Sequence, residues 1–122
     1  MKQSILASTT LIFVLSAAAS LAHTTVTSTS PKSGSVLEQS PPLIEIQFRE
    51  AARLTSVVVT QVGKPERRLE FSPKGSATSF KVSNPSLEIG RNEIQWRALS
   101  MDGHVINGTL ILTIKPTTKP EN

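Results

Sequence analysis

Short runs in which apolar and polar residues alternate most constrain the fold of this chain. Residues 43–48 read LIEIQF and residues 93–98 read EIQWRA, so every second side chain is apolar. A period of two is typical of a strand with one buried face, and no window after the first 22 residues has a helical period. Further candidate strands are TTVTSTS (24–30), SVVVTQV (56–62), RRLEF (67–71), TSFKV (78–82) and GTLILTI (108–114).

Residues typical of turns separate these runs. The intervening stretches SPKSG, QSPP, VGKPE, SPKG and NPS are rich in Pro, Gly, Ser and Asn. About seven short strands in one small domain predict an all-β, antiparallel sandwich or barrel of the immunoglobulin-like or cupredoxin-like kind. The chain has no Cys, so packing without disulfides must stabilise this domain.

The first 22 residues have the features of a cleaved signal peptide. Lys2 precedes an uncharged, largely apolar run from Ile5 to Ala19, and small residues occupy the positions before a cut after Ala22. The alternative is an uncleaved membrane anchor. We therefore expect a signal peptide over 1–22 and one exported β domain over 23–122, with an ordered core at about 23–116, a short polar C-terminal tail and no membrane insertion after processing.

The charged residues do not indicate nucleic-acid binding. The full chain has 13 basic and 9 acidic residues, and a formal net charge of +4 at pH 7. The basic residues are scattered rather than clustered, and Tyr is absent. We expect a mildly basic surface and no nucleic-acid partner.

Two histidines are the candidate metal ligands. Cleavage after Ala22 makes His23 the first residue of the mature protein. His104 follows Asp102 just before the last predicted strand, and in an extended segment residues two apart project to the same side. Asp102 and His104 can then present an oxygen and a nitrogen to one point. Asp-Gly is also a common turn dipeptide, so a surface turn without a metal is the alternative.

A free N-terminal histidine can offer two nitrogens to one metal, its α-amine and a ring nitrogen. Adding the His104 ring and an Asp102 oxygen gives a nitrogen-rich set that suits tetragonal Cu(II), with Ni(II) bound less tightly. Zinc would also accept histidine and carboxylate, although it gains nothing from tetragonal geometry. The residues therefore favour Cu(II).

Several motifs together make the chain resemble the CopC family of periplasmic copper-binding, copper-resistance proteins. They are a histidine directly after the signal, the SPKSG stretch, a strand ending in Phe-x-Glu, a Trp-Arg strand, and Asp-Gly-His before a closing strand. The resemblance covers almost all of the mature chain. It implies a Greek-key β-barrel or sandwich that holds Cu(II) where the N-terminus meets the Asp-x-His loop.

The resemblance also implies particular ligands. His23 matches the terminal ligand, Asp102 and His104 match the other pair, and Glu50 matches a glutamate beside or on the metal in some members. Members with a second site for Cu(I) build it on a methionine-rich loop. After processing this chain retains only Met101, so we expect no dedicated Cu(I) site and a packing or surface role for Met101.

Two classes of function fit such a site. The first is a monomeric periplasmic protein that sequesters Cu(II) or transfers it to a membrane copper transporter or another periplasmic copper protein. The second is a copper-dependent oxidase or monooxygenase-like enzyme with a terminal-histidine centre. The chain is poor in aromatic residues, and Asp102 would occupy an equatorial position, so we expect a binding protein and not an enzyme. A structural immunoglobulin-like domain without a metal is the third alternative, and it leaves the two histidines unexplained.

Overall fold

The computed structural model describes residues 26–117, and the described chain is built from strands. They are β1 (Val26–Ser30), β2 (Ser35–Leu37), β3 (Leu43–Thr60), β4 (Arg67–Arg68), β5 (Ser76–Ser83), β6 (Gly90–Ser100) and β7 (Val105–Ile114). The predicted all-β fold is confirmed. No helix in the described range is long and apolar enough to cross a membrane. The predicted signal peptide and the end of the C-terminal tail lie outside the described residues.

The strands form one curled sheet around a single core. Its main path runs β1-β3-β6-β7-β2, while β4 and β5 pair with β3. The first half of β3 lies between β1 and β5, and its second half pairs with β6 and β4. The segment from Phe48 to Ala52 is the corner at which β3 passes from one set of partners to the other.

Two irregularities let one long strand serve both halves of the sheet. The pairing of β3 with β5 shifts between Gln47 and Ala52, at the corner. A second shift, in the pairing with β6, falls between Leu54 and Ser56. The extra residue there moves the buried positions from even to odd numbers, so that Val57 faces the core as Leu54 does. The strand therefore keeps one face on the core while changing direction.

Three details of the strand pattern differ from the sequence-based prediction. The predicted strands 43–48 and 56–62 are parts of one continuous strand, because bulges rather than a turn join them. Only Arg67 and Arg68 of RRLEF belong to a strand, although Leu69 is buried. The pattern did not predict β2, which pairs with β7 in parallel and makes the sheet mixed rather than purely antiparallel.

An aromatic group lies at the centre of the core. The Phe48 ring packs edge-on against the rings of Phe80 and Trp96, with centroid separations of 5.7 and 5.4 Å. These three rings come from β3, β5 and β6. All three side chains are buried, so they join strands that are distant in sequence. Trp96 is therefore a core residue.

Gly108 lets the Trp96 ring lie directly on β7. Trp96 and Gly108 are partners in the β6–β7 ladder. A Cβ at position 108 would lie 2.0 Å from Cζ2 of the indole, far inside van der Waals contact. The indole therefore occupies the space that any other side chain at this position would need.

Replacing this glycine should destabilise the fold. We expect Gly108→Ala to lower the free energy of unfolding by about 1–3 kcal/mol, because the added methyl must displace a buried ring. Urea unfolding followed by tryptophan fluorescence measures the change. The matched control is Thr109→Ala at the exposed neighbouring position, which should have a much smaller effect. Equal stabilities for Gly108→Ala and the wild type would contradict the packing described.

Candidate metal centre

A tight turn joins β6 to β7 and carries the Asp-Gly-His motif. The Gly103 amide donates to the Ser100 carbonyl at 3.0 Å, and the Ser100 amide donates to the His104 carbonyl at 2.8 Å. Gly103 has a φ of 87°, a left-handed conformation that glycine adopts without strain. The Asp-Gly pair therefore forms a turn, as the alternative interpretation of the sequence proposed, rather than an extended segment.

The turn nevertheless brings the two predicted ligands together. Nδ1 of His104 lies 2.8 Å from Oδ2 of Asp102. An ionised carboxylate only accepts hydrogen bonds, so Nδ1 carries the hydrogen, and in the neutral ring Nε2 keeps a free lone pair. Both side chains are exposed, with 77% of the His104 side chain and 61% of the Asp102 side chain accessible. The ring nitrogen that can bind a metal is thus open to solvent.

Ser100 organises the turn, and the sequence analysis did not identify it. Its hydroxyl donates to Oδ1 of Asp102 and also accepts from the backbone amide of His104 at 3.1 Å. Serine two residues before an aspartate is common and carried no usable signal. Only the folded turn reveals that one hydroxyl touches both parts of the Asp-x-His motif.

These hydrogen bonds lower the pKa of Asp102. The pKa of its carboxyl falls from 3.8 to about 2, first because Ser100 donates to it and second because the His104 ring does. Asp102 is therefore negatively charged at any pH in which the protein is expected to function. Its folded-state pKa is the lower one, so the stabilising contribution of these bonds is present above about pH 4 and is lost as pH falls through about 2.

An open cavity of about 520 Å³ lies beside this turn, and Glu50 also lines it. Glu50 occupies the β3 corner, in phase with the buried Phe48 and Ala52, yet it is exposed. Its side chain makes no hydrogen bond or ion pair with other residues between 26 and 117. The fold therefore brings Glu50, Asp102 and His104 to one cavity from distant parts of the chain.

Met101 also lines the cavity. It is 72% exposed, and its Sδ accepts a hydrogen bond from the Ser76 hydroxyl at 3.6 Å. It is thus a surface residue at the rim. The remaining lining residues are Ala51, Ala52, Ser100, Val105, Ile106 and Asn107, so no aromatic side chain in the described range lines this cavity.

His23, the predicted terminal ligand, lies outside the described residues. Within residues 26–117, no group of three or more His, Cys, Asp or Glu side chains is arranged to hold a metal ion. The described part of the site therefore consists of the Asp102–His104 pair and of Glu50, which lines the same cavity. Their roles as metal ligands stay predictions.

Comparison with known proteins points to one family. A family model described as the CopC domain matches residues 26–115. The structure is similar to that of CopC from Methylosinus trichosporium OB3b, with a TM-score of 0.63 and 22% identity over 81% of this chain and 100% of that chain. It is also similar to PcoC, a methionine-rich copper resistance protein from Escherichia coli, with a TM-score of 0.56 and 26% identity over 74% of this chain and 96% of that chain. No match was found among curated proteins.

The Ser100 hydroxyl should control the acidity of Asp102. We expect Ser100→Ala to raise the Asp102 pKa from about 2 toward its ordinary value of 3.8, because the largest stabilising hydrogen bond is removed. A carbon-detected NMR titration of the Asp102 carboxyl in metal-free protein measures the shift. Ser76→Ala, which removes a nearby hydroxyl that contacts Met101, should leave this pKa unchanged. A wild-type Asp102 that titrates near 3.8 would contradict the described geometry.

Proposed function

The chain belongs to the CopC family, and on that premise we propose that it is a periplasmic Cu(II)-binding protein for copper sequestration, trafficking or resistance. The observation that carries the proposal is the Asp102–His104 pair, which presents a free imidazole nitrogen at an open cavity. Asp102 keeps lone pairs on both oxygens and can also supply an oxygen ligand. Imidazole nitrogen and carboxylate oxygen are donors that suit Cu(II).

The strand register supports His23 as the further ligand. Val26, the first described residue of β1, pairs with Phe48, two residues before Glu50 on β3. His23 precedes Val26 by three residues, a length that spans at most about 11 Å when extended. A mature chain beginning at His23 can therefore reach the cavity with both its α-amine and its ring. The cavity's own donors need such a complement, because within 26–117 they do not form a complete metal-binding group.

The donor set favours Cu(II) over Cu(I). Soft thioether ligands favour Cu(I), and a cluster of them needs several methionines. One of the similar solved proteins is described as a methionine-rich copper resistance protein. This chain has only two methionines, Met1 and Met101, and Met1 belongs to the predicted signal peptide. We therefore propose a single nitrogen- and oxygen-rich Cu(II) site.

Binding rather than oxidation fits the surface around the site. The rings of Phe48, Phe80 and Trp96 are buried in the core, so they form no exposed aromatic surface at this cavity on which an enzyme's substrate could bind. An ionised Asp102 beside the metal stabilises Cu(II) against reduction. We propose a monomer that is not an enzyme and that exchanges copper with a membrane transporter or another periplasmic copper protein.

Single replacements should rank the proposed ligands. We expect His104→Ala to weaken Cu(II) binding most, Asp102→Ala less and Glu50→Ala least. Imidazole nitrogen is a stronger donor to Cu(II) than carboxylate oxygen, and Glu50 is not part of the hydrogen-bonded Asp102–His104 pair. Competition titration with a chelator of known affinity measures the order. Glu70→Ala, which removes an exposed carboxylate away from the cavity, should have no effect. A larger loss for Glu50→Ala than for His104→Ala would show that the ligands are wrongly assigned.

The position of the N-terminus should also matter. One extra residue before His23 keeps the ring but converts the α-amine to an amide, so we expect a large loss of Cu(II) affinity with an unchanged β-sheet circular dichroism spectrum. Electron paramagnetic resonance should then report fewer nitrogen ligands than in protein that begins at His23. Equal affinities for the two forms would mean that the amine is not a ligand. Loss of the spectrum would instead indicate a role in folding.

A further inference from the structure

Within residues 26–117, the edge of β7 next to the candidate metal centre has unpaired backbone groups. On its outer edge, β2 pairs with Leu112–Ile114. The turn before β2 covers Ile111, since Gly34 donates to the Ile111 carbonyl and the Ile111 amide donates to the Ser33 hydroxyl. Among residues 26–117, nothing pairs with this edge from Val105 to Thr109. The open edge begins one residue after His104.

The register identifies which backbone groups point outward. Ile111 directs its N–H and C=O away from β6, and residues two apart along a strand point the same way. The ladder between β6 and β7 has no irregularity from Gly90 to Leu99. Val105, Asn107 and Thr109 therefore each direct an amide and a carbonyl toward the open edge. These are the hydrogen-bonding groups that an added strand uses.

This edge lacks the features that usually prevent pairing with another chain. Such edges are commonly protected by Lys, Pro, a bulge or inward-pointing charges. The segment Val105–Thr109 reads VINGT and contains no charged residue and no proline. Val105 is 60% exposed, and its ladder partner Leu99 is 38% exposed. The edge therefore offers both backbone groups and apolar surface.

Unpaired cations border the same surface. Arg97 is the ladder partner of Asn107, and its Nε donates to the Asn107 side chain at 3.3 Å. Arg53 pairs with Leu99 one row nearer the metal centre. Both arginines are exposed, and neither forms an ion pair with another described residue. A strand added to β7 would lie about 10 Å from β6, which carries Arg97, and arginine and glutamate side chains together can bridge that distance. Arg53 is on β3, one strand further away.

We propose that the open edge of β7, Val105–Thr109, binds an extended acidic segment of a partner protein as an added β-strand. The backbone edge selects an extended conformation, the exposed valine and leucine favour apolar side chains, and Arg97 favours carboxylates, with Arg53 adding positive charge one strand further away. A partner bound there lies against the cavity that contains His104. The proposal concerns an interaction surface and does not require that copper binds.

Hydrogen exchange tests whether the edge is open. In metal-free wild-type protein, the amides of Val105, Asn107 and Thr109 should exchange at least about tenfold faster than those of Ile106, Gly108 and Leu110, which bond to β6. Equal protection along β7 would overturn the proposal. If protection of the three outward amides rose with protein concentration, the edge would bind a second copy of this chain. That result would also overturn the proposal.

Peptide binding tests the proposed occupant. The probe is a blocked peptide that alternates glutamate and valine, titrated into ¹⁵N-labelled protein at low salt. We expect amide shift changes confined to β7 and the adjoining part of β6, weakened several-fold when lysine replaces glutamate and abolished by N-methylation of alternate peptide amides. Equal binding of the lysine peptide would contradict the proposal that the partner segment is acidic. Equal binding of the N-methylated peptide would exclude an added strand.

Variants of the protein distinguish peptide binding at the β7 edge from nonspecific attraction to positive charge. Asn107→Pro removes an outward N–H that makes no bond to β6, so it should abolish peptide binding, while Asn107→Ala keeps the N–H and should retain binding. Arg97→Ala should weaken binding about two- to fivefold. Arg68→Ala removes the same charge three strands away and should leave binding unchanged. An equal loss for both arginine variants would indicate nonspecific attraction and would contradict the proposed site.

Discussion

The contact between the Trp96 ring and its neighbours lies beneath the candidate metal centre and joins the strands that carry its residues. The indole packs edge-on against Phe48, which precedes the β3 corner that carries Glu50. It also lies on Gly108, four residues after His104. One buried side chain on β6 thus contacts both the strand that leads into the corner and the strand that follows the turn. The exposed side chains of the site owe their proximity to a contact in the core, since exposed carboxylates have little packing of their own.

The site combines a rigid turn with an open surface. Hydrogen bonds from Ser100 fix the backbone of the turn and lower the pKa of Asp102, while the His104 ring projects into solvent. A histidine oriented by a carboxylate and left free at Nε2 needs little reorganisation to bind a metal. The same exposure lets a partner approach the site, and the adjoining edge of β7 provides backbone groups where it could dock.

Much of the fold could be predicted from local pattern. Alternation located the central parts of β3, β5, β6 and β7, because the buried face of a strand must repeat every second residue. The prediction was wrong where a bulge, rather than a turn, shifts which residues of a strand face the core. The bulge between Leu54 and Ser56 divides one alternating run into two, so that a continuous strand resembles two separate ones. The short β2 carries too few residues to display any period.

The sequence by itself determined most of the buried strand positions, the Pro- and Gly-rich connections between strands, and that Asp102 and His104 lie two residues apart just before the last strand. Those properties depend on side-chain type and on contacts between residues close along the chain. Only the tertiary structure decided that Glu50 and His104 line one cavity and that part of β7 has an edge left open by residues 26–117. Both follow from the register between distant strands, which is set by bulges and by the packing of Phe48, Trp96 and Gly108 rather than by any local pattern.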